Sequence, residues 1–308
     1  MADARTPVLV GPTAIGKTAV ALALAAFWPI EVVSADSRQV YRGLDIATAK
    51  PAPRERQRVA HHLVDLVRPG ERYSAGRFAV DAAAAISSIR QRGHLPVVVG
   101  GTGLYVKALT QGLFAEPPLD RPRRDAMTAV TASMDHSMLV RWASRLDPGF
   151  DGGGGRHRAA RAIEVALLTG QPLSWWQRSA AAEGSVQPWM VRLTAPRPVL
   201  HQRIQARTEE MLRRGLVEEV ATALAEGAPA GGPGMDGVGV REAVAVLHGT
   251  LPRESLASAI ATSTRQYAKR QETWFRHQLG PDVVTLDATR SPEQIAAAIV
   301  AAWERVAR

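Results

Sequence analysis

An α/β fold, a parallel sheet carrying a helical insertion, is predicted for this 308-residue chain by three features. The first is Gly11-Pro12-Thr13-Ala14-Ile15-Gly16-Lys17-Thr18, which follows an apolar run at 7–10 and opens the alanine- and leucine-rich segment 19–26. A strand, a glycine-bearing turn and a helix in that order make a P-loop, so a P-loop NTPase-like core is expected. The second is the alternation of strand and helix patterns from 7 to about 113, the mark of a parallel sheet. The third is a change of character after Gly112. There the breaker-rich Glu116-Pro117-Pro118-Leu119-Asp120-Arg121-Pro122 leads into a charged, helical stretch that reaches Arg178.

Taken in order, strands are expected at 8–10, 31–33, 62–67 and 96–99. Between the last two, 74–92 reads as one helix with an apolar stripe through Phe78, Ala82 and Ile86. A strand at 189–193 returns the chain to the sheet, followed by helices at about 197–226, 239–248, 252–279 and from Pro292 onward. The glycines at 152–155 read as a turn between helices, and the Gly- and Pro-rich segment 228–237 as a mobile loop. The core is therefore expected at 1–115 and 189–308, with the insertion at 116–188.

The P-loop implies a bound phosphate chain. Its backbone N–H groups and the helix N-terminus face phosphate oxygens, Lys17 adds a full charge, and the Thr18 hydroxyl can hold Mg²⁺. ATP-hydrolysing enzymes add an acidic residue on a second strand. The strand at 95–99 ends instead in Gly100-Gly101-Thr102-Gly103. The nearest carboxylate in a suitable place is Asp36, just past the strand at 31–33, on the side where parallel sheets gather their functional loops. It could reach Mg²⁺ through water, act as a general base, or simply cap the next helix.

No cysteine is present, which excludes disulfides and thiolate metal sites and suits a reducing cytoplasm. No signal-peptide pattern opens the chain, and no segment approaches the ~20 apolar residues needed to span a bilayer, so a soluble protein without a membrane partner is expected. The net charge of +9 points to a polyanion. Of the 38 basic residues only Lys17, Lys50, Lys107 and Lys269 are lysines; a coding bias toward arginine is the simplest cause, and under it the lysines that remain suit places where a compact ammonium is needed. His61 and His62 have no acidic or cysteine partner at ligand spacing and are read as structural. Trp175 and Trp176 are read as packing residues of the insertion.

Motifs along the chain resemble the tRNA dimethylallyltransferase family. They are Pro12-Thr13 in the P-loop, 34–41 (SADSRQVY), 45–51 (DIATAKP), 61–65 (HHLVD), 73–75, 100–105 (GGTGLY), 158–164 (RAARAIE), 201–207 (HQRIQAR) and 264–276 (TRQYAKRQETWFR), in family order. The resemblance implies transfer of a dimethylallyl group from its diphosphate to N6 of the adenine next to the tRNA anticodon, with Mg²⁺; a monomer is expected, though the sequence itself does not set the oligomeric state. It implies Asp36 as general base, and Lys17, Thr18 and Arg207 as stabilisers of the departing pyrophosphate. Thr18, with Asp36 through water, would carry the metal. tRNA contacts are implied for Asp36, Ser37, Arg38, Gln39, Thr102, Arg124, His157, Arg158, Arg161, Arg241, Arg265, Gln266, Lys269 and Arg270. The target base would have to flip out of its loop.

Plainer readings stand beside these. Thr102 also suits an ordinary turn, and Arg158 and Arg161 suit a face salt-bridged to Glu164. On a helix Gln266, Arg270 and Trp274 form one stripe with Arg265, Lys269 and Arg276 on adjoining faces, suiting either RNA or a solvated surface over a packed Trp274. The chain departs from the family pattern at 153–156, where a glycine turn replaces Pro-Asn-Asp, and at Val240, where an aromatic hydroxyl is lost. Ala47, Ala60 and Ile15 also stand where other residues are usual. A transferase acting on free adenine nucleotides shares the P-loop and base, but would need neither the basic insertion nor the basic C-terminal helix. A kinase would turn over ATP, and a non-catalytic RNA-binding protein would leave the P-loop without a task.

Overall fold

The computed structural model describes residues 5–113, 119–179 and 183–307. Its strands are β1 (Thr6–Val10), β2 (Ile30–Ser34), β3 (His61–His62), β4 (Leu95–Gly100), β5 (Pro188–Thr194) and β6 (Val284–Asp287). They pair in parallel throughout, in the order β3-β2-β4-β1-β5-β6. Strands of a parallel sheet are covered on both faces, and every residue of β1 and β2 is buried. Helices α1 (Lys17–Leu24) and α13 (Pro292–Ala307) pack together, and Val20, Leu24, Ile295 and Ile299 join Leu9, Val32, Val97 and Val191 in one core.

The expected helix at 74–92 is α3 (Ala75–Gln91), with Ser74 as N-cap accepting the Arg77 N–H. Its stripe of Phe78, Ala82 and Ile86 is buried, and Phe78 stacks on Tyr105 of α4 (Gly103–Thr110) at 4.4 Å. Three expectations need correction. The strand at 62–67 stops after His62, because Leu63 and Asp65 adopt φ of +62° and +60°, outside the extended region. Only Val67 bridges onward, to Tyr41. The helix at 197–226 divides into α9 (Arg197–Arg213) and α10 (Leu216–Ala225) at Gly215, whose φ is +92°. Two short elements were not expected, β6 at the sheet edge and α2 (Pro53–Arg58). Helices α11 (Val240–Leu247) and α12 (Leu256–Gln278) follow α10.

The chain divides into two compact units, residues 1–110 with 185–308, and residues 111–184. The breaker residues Glu116, Pro117 and Pro118 lie outside the described residues. The smaller unit is helical: α5 (Arg121–Ser133), α6 (His136–Leu146), α7 (Gly155–Thr169) and α8 (Leu173–Ser179). Leu139, Ala143, Ile163, Val165 and Leu173 form its core. In the glycine turn before α7, Gly152, Gly154 and Gly155 have φ of +75°, +82° and +69°, a run that side chains would strain. Among the described residues no helix is long and apolar enough to cross a membrane.

Candidate active site

β2, β4 and β1 lie side by side, and their outgoing turns build the site. Asp36 follows β2, yet the P-loop follows β1, and β4 stands between them. The chain leaving β2 reaches the P-loop by crossing the end of β4. A Cβ at Gly100 would lie 2.1 Å from the Ala35 carbonyl oxygen, so only glycine allows that crossing. Thr102 then holds the turn: its N–H donates to the Ala35 carbonyl at 3.2 Å, and its Oγ1 accepts the Ser37 N–H at 3.0 Å. The glycine that stands where an ATPase would keep a carboxylate is thus what admits Asp36.

Asp36 Oδ1 accepts the Arg38 N–H at 2.8 Å, a local turn bond. Its Oδ2 has no hydrogen bond within the described residues, so one oxygen holds the turn and the other faces the site. Opposite it, Lys17 Nζ donates to the Gly11 and Pro12 carbonyls at 2.9 and 2.8 Å. Burial lowers the Lys17 pKa to about 8, with Asp36 pulling it up and Arg207 pushing it down. Gly16 caps α1 without a side chain, which leaves the helix N-terminus open to an anion.

Helix α9 closes the loop from its other side. Arg207 donates to Thr13 Oγ1 at 3.1 Å, and Arg203 donates to the Ile15 carbonyl at 3.0 Å and to the Ala288 carbonyl at 2.7 Å. Burial pushes the Arg207 pKa down and Asp36 opposes it. Ile15 points into the core, which explains a large residue at that loop position. Thr18 lines the P-loop cavity with Asp36, and its hydroxyl has no partner among the described residues. Oxygen donors of this kind fit Mg²⁺. No group of three His, Cys, Asp or Glu among the described residues could hold a metal without such help.

Two cavities meet here. One covers the P-loop, lined by Gly16, Lys17, Thr18 and Gln271. The other is a cleft of about 180 Å³ between the apolar Ile204, Met211, Val238 and Ile260 and the cations Arg38, Arg241 and Arg270. Thr13, Asp36, Thr48, Arg207 and Tyr267 line both and mark their junction.

The remaining sequence candidates fall in several places. Gln39 faces the P-loop cavity, bonded to the Ser34 hydroxyl at 2.8 Å and donating to the Ala49 carbonyl at 3.2 Å. Arg38 donates to the Pro233 carbonyl at 2.9 Å and pairs with Asp236, and the Gly234 N–H donates to the Pro69 carbonyl at 2.8 Å. The 228–237 loop is therefore pinned over the cleft. Arg241 bonds Glu242 at 2.9 Å and Ser263 at 3.0 Å. The α12 stripe divides: Arg270 lines the cleft, whereas Arg265, Gln266 and Lys269 line a shallow groove with Arg197, His201 and Glu272. Trp274 packs on Gly103, where a Cβ would lie 2.3 Å from its ring.

In the smaller unit, Arg124 and Arg161 both meet Glu164 at 2.6 Å, and Arg158 meets Asp151 at 3.1 Å; His157 is exposed at the start of α7. The salt-bridged face weighed above is present. Trp175 and Trp176 contact each other edge-on at 5.1 Å. His62 bonds Glu31 at 2.6 Å, as do Arg92 at 2.6 Å and His94 at 2.7 Å, and these partners, Arg92 foremost, hold the Glu31 carboxyl at about 2. His62 does have an acidic partner, one that sequence spacing did not reveal. Val240 is buried, so in this chain that position faces the core.

Sequence reasoning missed Tyr267, Gln271, Arg203 and Glu219. The Glu219 carboxylate accepts the N–H groups of Asp45, Ile46 and Ala47 at 2.7, 2.8 and 2.8 Å, fixing the segment that carries Thr48. Tyr267 and Gln271 are four apart within 264–276, a spacing that puts them on one helix face. Attention to charge passed over them.

A P-loop opening onto a basic, half-apolar cleft, with no carboxylate on the neighbouring strand, defines a P-loop-type transferase. Comparison agrees. Residues 39–278 match the family model of IPP transferase, and 5–68 that of isopentenyl transferase. The tRNA dimethylallyltransferase of Halorhodospira halophila is 45% identical over 282 residues, covering 88% of this chain and 89% of that one. That of Methylibium petroleiphilum is 43% identical over 304 residues, covering 94% and 91%. The tRNA isopentenylpyrophosphate transferase structure from Bacillus halodurans superposes with a TM-score of 0.71 at 32% identity, over 98% of each chain. A eukaryotic dimethylallyltransferase solved in action on tRNA gives a TM-score of 0.80 at 27% identity, over 99% of this chain and 80% of that one. The chain belongs to the tRNA dimethylallyltransferase family, and it is a dimethylallyltransferase acting on tRNA.

Proposed function

We propose that this chain prenylates N6 of adenine 37 in tRNA at the junction of its two cavities. The observation that carries the reading is the shared lining: a diphosphate in the P-loop cavity and a base in the adjoining cleft meet where Asp36 and Arg207 stand. The adenine amine is a weak nucleophile, since its lone pair is delocalised into the ring. Asp36 Oδ2 takes its proton as the new N–C bond forms. The allylic C–O bond breaks as pyrophosphate leaves, and the P-loop N–H groups, Lys17 and Arg207 receive that negative charge.

Mg²⁺, held by Thr18 and through water by Asp36, would add Lewis-acid stabilisation of the same oxygens. The walls formed by Ile204, Met211, Val238 and Ile260 keep water from the electrophile. Arg38, Arg241 and Arg270 at the cleft, with Ser37, Gln39 and Thr102 behind it, receive the flipped nucleotide. Arg124, His157, Arg158 and Arg161 of the smaller unit, and Arg265, Gln266 and Lys269 of α12, take the stem-loop backbone. The protein acts as a monomer in this reading, and the absence of cysteine suits the cytoplasm.

The test is to incubate the protein with Mg²⁺, labelled dimethylallyl diphosphate and either unmodified tRNA or AMP. Label in tRNA alone is expected. Label in AMP instead would make this a free-nucleotide prenyltransferase, and label in neither would overturn the reading.

A further inference from the structure

Gln271 lines the P-loop cavity and is buried at the seam of the site, 7% exposed. Its Oε1 accepts the Thr13 N–H at 2.8 Å, and its Nε2 donates to the Gly101 carbonyl at 2.8 Å. The amide orientation is fixed by chemistry, because a flipped amide would set donor against donor and acceptor against acceptor. Gly101 makes room for this contact: a Cβ there would lie 2.4 Å from Gln271 Nε2. Thr13 belongs to the loop that cradles the diphosphate. Gly101 leads directly into Thr102, whose hydroxyl holds the turn bearing Asp36.

We propose that Gln271 is a positioning residue that sets the distance between the diphosphate cradle and the Asp36 turn. Displacement at carbon needs the nucleophile, the carbon and the leaving oxygen in line, and a misplacement of ~1 Å can cost ~100-fold in rate. The two loops leave different strands, β1 and β4, and the amide spans them. The proposal rests on the reading that the P-loop holds the donor and Asp36 is the base.

Two variants test it, assayed with unmodified tRNA and dimethylallyl diphosphate. Gln271→Leu keeps side-chain bulk and removes both bonds. We expect kcat to fall about 100-fold while the dissociation constant for dimethylallyl diphosphate barely moves. Gln271→Glu keeps the acceptor for Thr13, but when ionised it turns a charge on the Gly101 carbonyl. When protonated it can donate there as the amide does; burial favours that form, while Lys17 and Arg207, which line the same cavity, favour the ionised one. Its kcat relative to wild type should therefore rise at least ~10-fold between pH 8 and pH 6.

That recovery occurs within one folded chain, so a folding defect cannot produce it. A flat ratio across pH, or a Gln271→Leu variant with wild-type kcat, would overturn the proposal. So would a loss confined to diphosphate affinity, since the amide would then shape the P-loop alone. Failure of the wild-type chain to prenylate tRNA would instead overturn the functional reading beneath it.

Discussion

At the scale of single residues, the division of labour within Asp36 gives the sharpest prediction. Oδ1 holds the Arg38 N–H, and an asparagine would keep that acceptor. Asp36→Asn should therefore preserve the turn and tRNA affinity while kcat falls ~10²–10⁴-fold, the usual contribution of a general base. Unchanged single-turnover rates would remove Asp36 from that role. Lys17 makes a second prediction through pH. Its pKa of about 8 in the free protein rises once a diphosphate neutralises the site, so binding takes up a proton above that pH. Affinity for dimethylallyl diphosphate, whose own last ionisation lies near ~6, should be flat from pH 7 to 8 and then weaken about tenfold per pH unit. Calorimetric titrations across pH 7–10 would show it, and a flat profile would mean that Lys17 keeps its proton throughout.

Elements show what a sequence can and cannot disclose. The P-loop, β1, α1 and the α3 stripe were legible because local pattern and local structure coincide there. Lys50 was marked as a place for a compact ammonium, and its buried Nζ meets the Tyr41 carbonyl, Asp45 and Asp65 at 2.6, 2.6 and 2.5 Å. The stop after β3 was not legible, since positive φ at Leu63 and Asp65 is imposed by tertiary context on residues without such a preference. Nor was the part played by α12, because periodicity names the residues on a face but not what that face meets. The same limit bears on α7, where two arginines are expected on phosphates but pair with carboxylates in the protein. Arg161 shares Glu164 with Arg124, so removing Arg161 leaves that carboxylate partnered. Arg158→Ala with Arg161→Ala should thus weaken tRNA binding with little loss of fold, and make log K against log salt shallower by about one for each lost phosphate contact. Filter binding at several salt concentrations would decide, and an unchanged slope would return both arginines to a solvent-facing network.

For the whole molecule the question is why a P-loop core carries a helical unit at all. The net charge of +9 suits a polyanionic substrate but does not say which part meets it. Chain connectivity allows a direct answer. The Ser185 N–H donates to the Leu109 carbonyl at 2.8 Å, so the points where the chain leaves and re-enters the larger unit lie beside each other. The smaller unit keeps its own core of Leu139, Ala143, Ile163 and Val165, and the strands, P-loop, Asp36, Arg207 and α12 all belong to the larger one. Replacing 111–184 by a short Gly/Ser linker should therefore leave a folded protein, because the closed loop spans a small gap and costs little entropy. That protein should bind dimethylallyl diphosphate as the full chain does, since every donor to the P-loop cavity remains. Its kcat/KM for tRNA should fall at least ~100-fold, on the order of 3 kcal/mol of phosphate contacts. The two readouts separate the alternatives. Loss of diphosphate binding would show that the helical unit supports the core itself, and retained tRNA turnover would show that the cleft and α12 suffice to hold the RNA.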